Sequence, residues 1–78
     1  MSICYAVFES AKDVAKFIDE NYQKSWFELL GITENTTNEG IRFTVFVKAY
    51  SGDLWVSDAV DFYVSFWERI IYEQHRKN

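Results

Sequence analysis

The stretch from Ser57 to His75, SDAVDFYVSFWERIIYEQH, most constrains what this chain can become. Laid out at about 100° per residue, it sorts into two arcs. Asp61, Ser65, Glu68, Arg69, Tyr72 and His75 fall on one side, and Ala59, Val60, Phe62, Tyr63, Val64, Phe66, Trp67, Ile70 and Ile71 cover the rest. The apolar arc spans roughly 200°, about twice what a helix needs to cover one core face. The expectation is a long last helix packed on two sides, one against the chain's own core and one against a further element, a second copy or another protein. Ser57 or Asp58 would cap it, with Asp58 and Asp61 in its positive first turn.

Length sharpens that reading. A single domain of 78 residues, 1–78, buries only about 60–65% of the surface its unfolded chain exposes. One cysteine, Cys4, excludes an internal disulfide, and one Cys with one His disfavours a zinc site. Stability must then come from a dense aromatic core, from association, or from both. The 7 Phe, 5 Tyr and 3 Trp suit either source.

Ile3 to Phe8 reads as a strand that is apolar on both faces, which suits a central position. Ser10 is placed as an N-cap, with Asp13 completing a capping-box-like pattern, ahead of a helix over Ala11 to Tyr22. Ala11, Val14, Ala15, Ile18 and Tyr22 form its narrow apolar stripe, with Phe17 at the edge. For Lys24 to Gly31, the Ser25–Glu28 capping pattern and Gly31 favour one or two helical turns. Trp26, Phe27 and the two leucines fit a strand as well. Thr33 to Gly40, TENTTNEG, reads as a polar loop, its Asn35-Thr36-Thr37 sequon included. Ile41 to Tyr50 is the clearest strand: Phe43, Val45, Val47 and Ala49 alternate with Arg42, Thr44, Phe46, Lys48 and Tyr50. Ser51-Gly52 would turn it into a hairpin with 53–56, setting Val47 opposite Val56 and Lys48 opposite Trp55.

The expected fold class is therefore α+β. It is a two-layer domain with a small, mainly antiparallel sheet of about three strands, including the 41–50/53–56 hairpin. Two main helices lie on one of its faces.

No catalytic constellation emerges. His75 has no nucleophile placed near it, Cys4 lies on a buried strand, and no glycine-rich phosphate loop is present. The expectation is a non-enzyme without cofactor or metal. A net charge of −4 and a pI near 4.8 disfavour direct nucleic-acid binding and suit a basic partner. No basic n-region opens MSICYAVFES and no apolar run is long enough to span a bilayer, so a cytoplasmic location without membrane contact is expected.

The leading functional expectation is a small acidic protein-interaction module that occludes a partner surface, of the inhibitor or immunity type, a class that includes proteins phages carry against host defence systems. Its partner would be another protein, with a basic nucleic-acid-binding protein as one case. The interface expected is Phe62, Phe66 and Tyr63 with Asp58 and Asp61, joined by Phe46 and Trp55 on the outer face of the hairpin. Two alternatives stand beside it. One is a sheet that binds single-stranded nucleic acid through Phe46 and Trp55 among Arg42 and Lys48. The other is a structural homodimer subunit.

Overall fold

A computed structural model describes residues 1–65 of the chain. In order along the sequence they form β1 (Ser2–Phe8), α1 (Ala11–Asn21), β2 (Glu28–Thr37), β3 (Gly40–Ala49), a short 3₁₀ turn (Ser51–Asp53) and β4 (Asp61–Val64). The four strands make one antiparallel sheet in the order β2-β3-β1-β4. This is the split βαβ arrangement, in which the second crossover, from β3 to β4, is an irregular segment among the described residues.

β1 is central, as expected, but only one of its two apolar faces is fully buried. Cys4, Ala6 and Phe8 point to one side and are fully buried. Val45, Val47 and Ala49 of β3 lie beside them on the same side, at no measurable exposure. α1 covers this face. Ser10 accepts a hydrogen bond from the Asp13 N–H at 3.2 Å, capping the helix as expected. The buried stripe of α1 is Val14, Phe17 and Asn21, rotated from the sequence reading. Phe17 is in the centre, against Phe8 with ring centroids 5.2 Å apart, whereas Ala11, Ala15 and Tyr22 are exposed. The larger ring takes the central place because it fills the space over Phe8.

Several expectations are corrected: the described residues hold a four-stranded sheet and one α-helix, where about three strands and two main helices were expected. Residues 57–65 are not helical: 57–60 turn, and Asp61–Val64 is a strand paired with β1, Ala6 opposite Phe62 and Cys4 opposite Val64. The rest of the expected last helix, with Phe66, Trp67 and His75, lies outside the described residues. Lys24 to Phe27 makes turns, and Glu28 begins a strand rather than a short helix. The polar stretch 33–37 continues that strand to Thr37, sequon included. The hairpin is therefore at Asn38-Glu39, between the paired Thr37 and Gly40. Thr37 Oγ1 accepts from the Glu39 N–H at 3.2 Å and donates to the Gly40 carbonyl at 2.9 Å, and Gly40 takes φ +117°. That angle lies where a side chain strains the backbone.

The 51–52 hairpin does not form. Val47 pairs with Cys4 and Leu29, and Lys48 with Ile3 and Glu28, because β1 and β2 already occupy both edges of β3. The chain instead crosses the helix side of the sheet. Leu54 enters the core, and Val56 and Ala59 pack against it. Val60 N–H then donates to the Val7 carbonyl at 2.8 Å, where β4 begins its pairing.

Candidate protein-binding face

The side of the sheet away from α1 carries a register-matched row of side chains. β3 alternates, so Thr44, Phe46 and Lys48 face opposite to the buried valines, and β1 presents Ile3, Tyr5 and Val7 there. Phe46 is directly opposite Tyr5, and Tyr5 directly opposite Tyr63 of β4. Side chains paired this way across antiparallel strands stand about 4.5–5.5 Å apart at Cβ. Phe46 and Tyr5 meet edge to face, with centroids 5.1 Å apart and rings at 77°. The row continues to Gly31 on β2, where a Cβ would meet nothing within 4 Å. One flank of Phe46 is thus open, and Tyr63 at the other end is 53% exposed.

The neighbouring row is more polar: Thr33, Thr44 and Asp61, with Val7 among them. A shallow depression of about 460 Å³ lies at this end, lined by Val7, Thr44, Asn35, Arg42 and Asp61 among others. Arg42 is tethered there, donating to Glu39 Oε2 at 3.3 Å and to the Ile41 carbonyl at 3.0 Å. The row on the other side joins Glu28, Lys48 and Ile3. The face is apolar and aromatic at its centre with both signs of charge around it. No element among the described residues crosses it.

Of the residues expected at an interface, Phe46, Tyr63 and Asp61 come together on this face. Phe62 alternates to the helix side and packs against the core. Asp58 is on the helix side too, paired with Lys16 at 2.9 Å. The hydrogen bond and charge of Asp58 hold the Lys16 amine above its ordinary pKa. Trp55 is 59% exposed beside α1, where its backbone is held by Asn21. Phe66 lies outside the described residues. Lys48 has β-partners in place of Trp55. Lys24 Nζ sits over the Trp26 ring, 5.1 Å from its centroid.

Tyr5 is the member of the face that sequence reading passed over. Its signal was the alternation within SICYAVF, which puts Tyr5 opposite in sense to Cys4 and Ala6.

Among the described residues no group of three His, Cys, Asp or Glu side chains is placed to hold a metal, and no helix is long and apolar enough to cross a membrane. The fold and this face define a small α+β domain with an aromatic sheet surface. No family model, curated protein or solved structure matches the chain.

Proposed function

We propose that this chain is a non-catalytic protein-interaction module that covers a surface of a partner protein with the face centred on Phe46, Tyr5 and Tyr63. The observation that carries the reading is that row itself: three aromatic side chains at adjacent paired positions on three strands. Tyrosine and phenylalanine supply large contact area at low entropic cost on a preorganised sheet, and interface cores are enriched in them. The net charge of −4 suits a partner with a basic surface. An inhibitor or immunity-type protein of the cytoplasm, without cofactor, works in this way, by occluding a surface.

The test compares variants in affinity capture from source-cell extract, followed by titration with the purified partner. Tyr63→Asp should weaken binding at least about 30-fold, the scale of an interface hot spot of about 2 kcal/mol. Trp55→Ala, on the other side of the sheet, should leave affinity unchanged. Equal binding by wild type and Tyr63→Asp, with melting temperatures also equal, would remove the open face from the interaction.

A second reading rests on one specific observation. The aromatic pair sits on the two central strands, with Lys48 and Arg42 on the same face, which is how single-strand-binding sheets stack bases. It predicts binding of oligo(dT) or oligo(U) that falls steeply with salt and is lost in Tyr5→Ala. The acidic balance places this second.

A further inference from the structure

The sheet has two unlike edges. β4, at one end, is four residues long and carries Asp61, and short charged strands are how proteins blunt an edge against pairing. β2, at the other end, runs ten residues from Glu28 to Thr37 and pairs along that length with β3 on its inner side only. Its outer N–H and C=O groups have no strand partner among the described residues. Lysine and proline, the usual guards of such an edge, are both missing from β2. The guards present are the irregularity between Leu29 and Gly31, close to one end, and the carboxylates of Glu28 and Glu34.

The side chains along this edge add an apolar strip. Leu29, Leu30 and Ile32 are 44%, 47% and 47% exposed. Leu29 is opposite Val47 and Ile32 opposite Val45, so both point to the helix side of the sheet. α1 lies over β1 and β3 and leaves them half uncovered. Charge then selects what can lie there. Glu28, Glu34 and Glu39 are exposed along the edge and its turn, and no lysine or arginine occurs between Lys24 and Arg42. A second copy pairing β2 with β2 brings only acidic side chains to an acidic edge. A self-pairing centred on Glu34, within the regular part of the strand, would set Glu34 against Glu34 of the other copy, and like charges opposite one another are destabilising.

We infer that β2 is a docking edge for an extended segment of another protein, apolar and rich in lysine or arginine, which adds to the sheet as a fifth strand. Main-chain hydrogen bonds to the outer side of β2 supply the common part of the affinity. Leu29 and Ile32 cover apolar side chains of the added strand on the helix side, and Glu28, on the opposite face, pairs with its cations. This goes beyond the open-face reading and does not depend on it, since the edge and the aromatic row are different surfaces.

The probe is a synthetic peptide of about ten residues, the length of β2, with alternating lysine and valine and blocked ends. It is titrated into the full-length ¹⁵N-labelled chain and followed by amide shifts. Saturable binding with shifts concentrated on 28–37 is the expected result. An alternating glutamate–valine peptide should bind at least about ten-fold more weakly, a difference of about 1.4 kcal/mol. A lysine–valine peptide N-methylated at every second residue should lose binding to a similar extent, because it cannot form the ladder. Ile32→Lys and Leu30→Lys, at nearly half-exposed positions, should each weaken binding by the same order, whereas Tyr63→Asp should leave it unchanged. No saturable binding of the lysine–valine peptide overturns the proposal. So does equal binding of the glutamate–valine peptide, or shifts centred on Tyr5, Phe46 and Tyr63. Sedimentation of the free chain as a dimer that Ile32→Lys dissociates would assign the edge to a second copy, and would overturn it too.

Discussion

Among the described residues Asn21 is the one polar residue buried without measurable exposure, and it ties the end of α1 to a segment far away in sequence. Its amide nitrogen donates to the Phe17 carbonyl at 2.8 Å and to the Trp55 carbonyl at 3.1 Å, and its amide oxygen accepts from the Trp55 N–H at 3.0 Å. Lys24 Nζ donates to the same oxygen at 3.1 Å and also to the Asp53 carbonyl. The side chain thus satisfies both backbone groups of Trp55, as a neighbouring strand would. Each such bond contributes about 1 kcal/mol net, and a partner left unsatisfied in a buried place costs more. Replacing Asn21 by Ala loses three backbone bonds. Alanine's higher helix propensity returns about 0.5 kcal/mol at the last position of the helix. A loss of about 2–3 kcal/mol is expected, which for a domain of this size lowers the melting temperature by about 8–24 °C.

Asn21→Leu separates packing from hydrogen bonding. Leucine fills the volume and is a good helix former, but leaves the Trp55 N–H and C=O without their partner. If the bonds matter, Leu should cost about as much as Ala. The assay is urea unfolding followed by circular dichroism and tryptophan fluorescence, with the m-value compared so that a shifted midpoint can be read as stability. Asn21→Leu within about 0.5 kcal/mol of wild type would show that the site needs only volume, and would refute this account.

Other outcomes follow from the same geometry. Phe8→Ala, at a fully buried ring packed at a tilt against Phe17, should cost about 3–5 kcal/mol and leave little folded protein at 37 °C, read by thermal melting. Gly40→Ala should cost about 1–3 kcal/mol from backbone conformation alone, since an added Cβ would come no closer than 3.7 Å to any atom, the Arg42 side chain. Ser10→Ala should cost about 1 kcal/mol by removing the cap, and Ser10→Asp should restore most of it. The raised pKa of Lys16 makes its pairing with Asp58 stabilising below the unfolded-state pKa of lysine, about 10.4, and that contribution is lost as pH rises through the higher folded value. The pair is exposed, so Lys16→Met should change the melting temperature little at neutral pH and should flatten only the alkaline limb of a stability–pH curve.

β1, α1 and β3 were legible in the sequence because each has a strong local signature. Two-faced apolarity marks a central strand, a capped helical stripe marks α1, and strict alternation over Phe43–Ala49 marks β3. The face carrying Phe46 and Lys48 followed from that alternation. What was not legible depends on partners distant in sequence. The four residues Asp61–Val64 fit a helical arc and an alternating strand equally well. The free edge of β1 at Cys4 and Ala6 makes them a strand. The Ser51-Gly52 hairpin had a self-consistent register, but β1 takes the edge of β3 that it needed. The polar run from Thr33 to Thr37 is a strand because it lies at the sheet's edge, where β3 supplies its hydrogen bonds and water meets its outer side chains. Asn21 looks like any polar helix residue until Trp55, 34 positions away, is brought against it. Local periodicity determines which way a side chain points. Which edges are already occupied, and by what, is decided only when the whole sheet closes.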